Sequence, residues 1–351
     1  FTADGRLLGY VANRFSDDVS VVDLDAMQEL GRPSLGRDPV DTDGPRSITL
    51  DPERGLAYVV LSYPLESDGP HVETRGDGRA GYVMVHSLSD LTPLGELRLE
   101  RSPTDLSLSQ DGTRLAVSHF DQVRARQVSD DIADRRAALA LIEPAFGLAD
   151  GTAAARFVRA CVAPAGIVYD KDGARAYVAC TGEDSLVVVD VVAAEVLARV
   201  PAGALVANKP FGLSPDPGGR RLLLSNQVAS SVVLFAIDDD PAPLATTFVT
   251  GVPFGMEWLD ETRFVVALQG PDATALVDST SGAVVVQRAY SQDECRNPSA
   301  PRRVGESRLF LVCEGDHYTP GRLVELDPGS LAIRAGVELG IYPDRLAVLE
   351  P

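Results

Sequence analysis

Seven short segments of the chain open on one pattern, x-Pro-x-x-apolar: GPRSITL, SPTDLSL, APAGIVY, KPFGLSP, VPFGMEW, NPSAPRR and YPDRLAV. Their prolines are Pro45, Pro103, Pro164, Pro210, Pro253, Pro298 and Pro343, with successive gaps of 58, 61, 46, 43, 45 and 45 residues. A repeat this regular constrains the architecture more than any single motif. Each start leads through a turn to a β-rich run: YVAN from Tyr10, YVVL from Tyr58, LAVS from Leu115, YVAC from Tyr177, LLLSN from Leu222, FVVAL from Phe264 and LFLVC from Leu309. Asp4-Gly5, Asp111-Gly112 and Asp172-Gly173 supply turns that tolerate positive φ. A third run follows each time (VSVVDL, LVVVDV, SVVLFAI and their counterparts), and a looser fourth such as VLARVPAG returns the chain to the next proline.

Four strands in some 43–61 residues, repeated, is the unit of a β-propeller, since no such sheet can bury both its faces alone. The chain ends on YPDRLAVLEP, an inner strand with no blade after it, and begins with TADGRLLGYVAN, a turn and second strand with no first. Joined, they complete a seventh blade. The expected fold is all-β, a seven-bladed propeller of four-stranded antiparallel blades. The ring closes by pairing of the C-terminal strand into the N-terminal blade. Residues 1–351 are read as one domain, with long loop insertions at about 62–80 and 119–136.

The runs YVANRFSDDVSVVDL and AYVACTGEDSLVVVDV resemble the YVTN-type repeats of bacterial surface and periplasmic seven-bladed propellers. The likeness is sharp in the first and fourth blades and fades to LAVSHF, LLLSNQ and FVVALQ elsewhere. There is no Trp-Asp dipeptide, and Trp258 is the single tryptophan, which argues against a tryptophan-docked quinoprotein propeller. The resemblance implies a fold and an extracytoplasmic setting: periplasmic, secreted or at the cell surface of a bacterium. It carries no activity, because propellers host many functions.

Charge narrows the partners. With 32 Lys and Arg against 51 Asp and Glu, the formal charge is −19. A surface that acidic repels phosphate backbones and anionic headgroups, so neither nucleic acid nor a membrane surface is an expected partner. The longest apolar stretch, from Leu186 to Ala207, is cut by Asp190, Glu195 and Arg199, so no membrane span is expected. Lys171 and Lys209 are the only lysines, which fits a GC-rich genome or salt adaptation. Phe1 is not an initiator methionine and no leader pattern follows it, so the compartment is not read from a leader.

The four cysteines give the compartment instead. Cys161 and Cys295 each lie three residues before a repeat proline, and Cys180 and Cys313 each end a second strand, at separations of 19 and 18 residues. In a propeller those two loops leave a blade on the same face, so each pair can reach disulfide distance within one blade. Of three connectivities the repeat selects 161–180 with 295–313, implying an oxidising compartment; four buried free thiols are the alternative. No C-x-x-C or C-x-x-C-H spacing occurs, so neither a cysteine zinc site nor a covalent haem is expected in this chain.

His71, His119 and His317 all follow a second strand and project from the face expected to carry the disulfides. Converging with Asp121 or Asp316, they could hold a divalent metal ion; otherwise they are unrelated histidines on solvated loops. His86 is read as replacing the turn-supporting Asp23 and Asp190 of other blades. At the inner-strand starts, Arg46, Asp105, Asp344 and Arg345 are charged. They could orient a carboxylate-bearing ligand, or simply neutralise one another at the channel mouth. The third-blade insert DQVRARQVSDDIADRR carries a helix-start signal at Ser129.

No G-x-S-x-G, phosphate-binding loop, Rossmann glycine pattern or H-E-x-x-H occurs, and acidic loops such as TGEDS and EGDH lack EF-hand spacing. The function expected from sequence is a non-catalytic, monomeric module binding a protein or small molecule on its insert-bearing face. Two alternatives are carried with it. One is the propeller part of a c-type cytochrome or haem-peroxidase redox system, with a cytochrome partner. The other is a metal-dependent hydrolase or lyase at the channel mouth.

Overall fold

The computed structural model describes residues 5–35, 37, 42–63, 80–237 and 240–351. They form seven four-stranded antiparallel sheets, each ordered from an inner strand outward. The inner strands are Pro343–Leu349, Pro45–Asp51, Pro103–Leu108, Pro164–Tyr169, Pro210–Pro215, Val252–Trp258 and Pro298–Val304 for the first to seventh blades. The ring closes as the repeat requires: Pro343–Leu349 pairs antiparallel with Leu8–Asn13, Leu8 facing Leu349 and Asn13 facing Pro343.

Burial follows from stacking blades face to face. Second strands such as Leu8–Asn13 and Leu56–Leu61 are buried at every position, because both their faces meet another sheet. Outer strands keep one wet face, so Ala283–Ala289 and Ile333–Ile341 alternate in exposure. The tyrosines that open the YV runs are among the largest fully buried side chains. Tyr10 donates its hydroxyl to Leu88 O at 3.4 Å and Tyr177 to Ile237 O at 3.1 Å, each tying its blade to the next.

The repeated proline shapes the axis. In all seven blades the pairing between inner and second strand slips by a bulge at the strand start. The residue before the proline takes positive φ in six of them: Gly44, Ser102, Ala163, Lys209, Asn297 and Tyr342. The bend and bulge re-aim the following residues toward the channel, and proline suits the position because it has no N–H to leave unpaired.

Both expected disulfides form, with Cα–Cα distances of 5.9 Å for Cys161–Cys180 and 5.2 Å for Cys295–Cys313. Two local readings are corrected. His86 is not the turn residue: Asp23 faces Leu8 and Asp190 faces Arg175, and the same position opposite Leu56 is held by Ser87. His86 lies one residue earlier, buried inside the blade, where desolvation lowers its pKa to about 4. In the third-blade insert, Asp131 rather than Ser129 caps a single 3-10 turn, Ile132–Arg135, and Asp121 caps a separate turn, Gln122–Ala125. Most of the second-blade insert, including His71, falls outside the described residues. Among the described residues no helix is long and apolar enough to cross a membrane.

Candidate functional site at the channel mouth

The channel holds a cavity of about 760 Å³, lined from all seven blades. Two rings of side chains build its mouth. The residue following each repeat proline contributes Asp344, Arg46, Thr104, Ala165, Phe211, Phe254 and Ser299, in blade order. Across five of the seven bulges, the residue after the proline's partner contributes Arg14, Phe120, Gln227, Gln269 and Glu314. Spacing along the chain thus becomes position around a circle.

The circle is not uniform. From the sixth blade through the seventh and first to the second, the groups are polar: Gln269, Ser299, Glu314, Asp344, Arg14 and Arg46. The remaining arc carries Ala165 and three aromatic rings, with Thr104 and Gln227 as its polar ring members. Phe120 and Phe211 lie 6.1 Å apart and Phe211 and Phe254 5.1 Å apart.

Glu314 is the centre of the polar arc. It follows Cys313 directly, so the 295–313 disulfide pins the strand end that presents it. Its backbone N–H donates to Asn297 O at 3.1 Å, and Asn297 Nδ2 donates to Gly315 O at 2.9 Å. The carboxyl is 3% exposed and its Oε2 lies 2.9 Å from His317 Nε2. Burial pushes its pKa well above the ordinary carboxyl value and the negative charge of Asp344 adds to the rise, against hydrogen bonds from Gln269 and Ser299 and the nearby Arg46 cation. Burial and then the Arg14 charge lower His317 to about 4. Burial therefore favours the uncharged form of both groups.

Tyr342 supports the pair. Its ring stacks on His317 with centroids 3.8 Å apart, and the Arg14 guanidinium lies 5.4 Å from its centroid. Tyr342 has φ 56°, a conformation a bulky residue rarely adopts, held here at the bend before Pro343. Arg46 Nε lies 3.5 Å from Asp344 Oδ2, and Arg46 Nη1 reaches Thr104 Oγ1 at 3.5 Å.

Farther along the channel, Arg345 Nη2 donates to Asp105 Oδ2 at 2.6 Å, linking the first blade to the third past the second. Asp105 also accepts from Ser47 Oγ and Ile167 N, so it braces three inner strands. Glu257 borders the same stretch. Burial raises its pKa against the Arg302 and Arg303 charges.

The four charged residues expected at the strand starts thus all line the cavity, joined as two cross-blade ion pairs. Of the expected metal set, the described members His119, His317, Asp121 and Asp316 do not converge. Among the described residues no three His, Cys, Asp or Glu are grouped to hold a metal ion. His119 ends a strand inside the third blade, fully buried, with Nδ1 on Ala138 O at 2.9 Å, rather than on a loop. Asp121 caps a turn and pairs with Arg101 at 2.9 Å. Asp316 accepts from Tyr318 N, Thr319 N and Thr319 Oγ1, which together bring its pKa down to about 2. His317 reaches the mouth, but through Glu314, a residue the EGDH spacing did not single out. The signal was available: Glu314 occupies the position one beyond the proline's cross-strand partner, as Arg14 and Phe120 do.

A family model described as "Lactonase, 7-bladed beta-propeller" matches residues 148–253. No curated protein sequence matches significantly. Among solved structures, the periplasmic gluconolactonase PpgL of Pseudomonas aeruginosa superposes with a TM-score of 0.69 at 18% identity, covering 98% of this chain and 100% of that one. A putative 6-phosphogluconolactonase from Bacteroides uniformis gives 0.72 at 10% identity over 98% and 100%, and one from Bacteroides fragilis 0.65 at 12% over 99% of each. At such identities the superpositions show the seven-bladed fold. The matching model describes lactonase propellers, and the YVTN-type likeness remains a feature of the quoted runs. The expectation of a non-catalytic binder is corrected by the family model, which describes lactonase propellers.

Proposed function

We propose that this chain hydrolyses a lactone at the channel mouth, with Glu314 as general base and the Arg46 and Arg14 guanidiniums facing the oxyanion. The observation that carries the reading is the buried Glu314 carboxyl, hydrogen-bonded to a neutral His317 and bordering a cavity that also holds both arginines. A carboxyl whose pKa is raised toward the working pH is matched to moving a proton in both directions. Ionised Glu314 takes a proton from water as the oxygen attacks the ring carbonyl. Negative charge develops on the carbonyl oxygen, where the arginines stabilise it. Collapse breaks the ring C–O bond, and the leaving alkoxide takes the proton back from Glu314, giving the hydroxy acid. His317, donating Nε2–H to Oε2, orients the carboxylate.

Arg46 and Asp344 belong to this machinery, whereas Arg345 and Asp105 form a cross-channel pair beneath it. One chain supplies the whole ring, so a monomer with a single domain suffices. The two disulfides, the YVTN-type likeness and the periplasmic setting of one structural neighbour support an extracytoplasmic, periplasmic location.

The test is initial-rate hydrolysis of gluconolactone, corrected for the spontaneous reaction. Wild-type kcat/KM should rise with pH to a plateau as Glu314 ionises. Glu314→Gln should lower kcat by about 10²–10⁴-fold. Full activity in the Gln variant would remove Glu314 from the chemistry.

A further inference from the structure

We infer that the substrate is a lactone carrying an aliphatic chain, whose ring meets Glu314 while the chain lies along Phe254 and Phe211 and leaves the mouth over Val228 and Val206. The inference rests on the lactonase reading and narrows its substrate class.

Two independent observations support it. Inside the mouth, the arc from the third blade round to the sixth, beside that of Glu314, is walled by Phe120, Phe211 and Phe254, each only partly buried and all lining the cavity. Of the residues after the prolines here, Ala165, Phe211 and Phe254 offer a polyhydroxylated ring no side-chain hydrogen bond, leaving Thr104 and Gln227 as the polar ring members on the arc. A polar ligand stripped of water against that wall would lose hydrogen bonds without replacement.

Outside the mouth, the rim beside the same arc is also apolar. Val206 is 92% exposed, Val228 59% and Leu205 52%. These residues adjoin one another: Val228 N donates to Asn208 O at 3.1 Å, and Asn208 Nδ2 donates to Leu205 O. They also adjoin the cavity, since Gln227, just before Val228, lines it and donates its N–H to Lys209 O at 3.0 Å, two residues before Phe211. On a chain of net charge −19, aliphatic side chains at the lip of a cavity with an aromatic inner wall form an apolar track, with Gln227 at the step between wall and rim. Its polar end is the carboxyl and guanidinium cluster that would handle the ring.

The experiment compares kcat/KM for six-membered lactones with methyl, propyl and pentyl substituents, with gluconolactone alongside. Each methylene fully laid on an apolar wall is expected to raise kcat/KM about fourfold, so the pentyl lactone, four methylenes longer, should exceed the methyl one by about 250-fold if its whole chain lies on the wall. Phe211→Ala should flatten that gradient. Val228→Asn, at an exposed position that leaves folding intact, should lower the pentyl value selectively. A flat gradient in the wild type, with gluconolactone hydrolysed, overturns the inference and leaves the lactonase reading standing. An unchanged gradient in both variants overturns it too. If no lactone is hydrolysed, the lactonase reading itself fails, and this inference with it.

Discussion

The fourth and seventh blades share a frame and differ in what it presents. Both carry a disulfide from the loop before the inner strand to the end of the second strand. In both the repeat proline faces the second cysteine, and Ala163 and Asn297 before it have φ of 51° and 50°. After the cysteine, however, stands Thr181 in one and Glu314 in the other; after the proline, Ala165 or Ser299, then Gly166 or Ala300. Thr181 turns its hydroxyl to Pro210 O at 2.7 Å and fastens the fourth blade to the fifth. Glu314 borders the channel on a neutral imidazole. Similar backbone geometry therefore serves joinery in one blade and, in the proposed function, chemistry in another, decided by the side chains at the two ring positions.

The strongest way to break the comparison is to exchange its key positions. Glu314→Gln should cost about 10²–10⁴ in kcat, whereas Thr181→Val should leave gluconolactone turnover within about twofold and lower only the unfolding midpoint. Equal losses in both would mean that the ring position has no special chemistry.

Next comes the bracing. Replacing either cysteine pair by alanine should destabilise the protein by about 3 kcal/mol, given closed loops of 19 and 18 residues, read from denaturant unfolding. At a temperature where both variants stay folded, the loss of 295–313 should also lower kcat/KM, since Cys313 precedes Glu314. The loss of 161–180 should not.

The pH dependence of stability separates the blades further. His317, lowered to about 4 from 6.5, is neutral when folded; the unfolded chain binds its proton first on acidification. Its contribution is present above pH 6.5 and is lost as pH falls toward 4, an effect of about 2–3 kcal/mol that His317→Gln should remove. Glu314 runs the other way. Its raised pKa makes the unfolded chain ionise first, so stability declines as pH climbs above the ordinary carboxyl value. Glu314→Gln should accordingly be more stable than wild type at pH 8 and no more stable at pH 4, the signature of a site kept for activity. Absence of this crossover would show that the carboxyl is not held protonated.

The smallest effect concerns the axis. A Cβ on Gly166 would sit 2.6 Å from Phe211 O, a backbone atom that cannot swing aside. Gly166→Ala should cost about 1–2 kcal/mol, and Ala300→Gly at the same ring position under about 1 kcal/mol, both by thermal unfolding.

The fold was legible because its signals are local and backbone-driven. Proline at each inner-strand start, Asp-Gly in the turns and tyrosine opening the second strand each act within a few residues, so their spacing survives in the chain. The disulfides were legible for the same reason: the repeat places both cysteines of a pair at matching positions of one blade. The candidate site was only half legible. Arg46, Asp105, Asp344 and Arg345 were found because they sit at the repeat itself. The EGDH loop drew attention to Asp316 and His317, yet Asp316 is spent on its own turn and Glu314 meets the channel. His119 read as a loop residue and is strand core. His86 was misplaced by one position, which in a strand reverses the face a side chain presents.

The sequence by itself determined seven units, their closure and two bonds within blades, because these depend on propensities and spacings that recur in the chain. Only the tertiary structure decided which side chains share the mouth. Glu314, Gln269, Arg14 and Arg46 come from four different blades. Their meeting is set by the bulge at each inner strand and by how closely seven sheets stack around an axis, distances that no single blade encodes. The acid strength of Glu314 follows from that meeting, because desolvation and neighbouring charge exist only once the ring has closed.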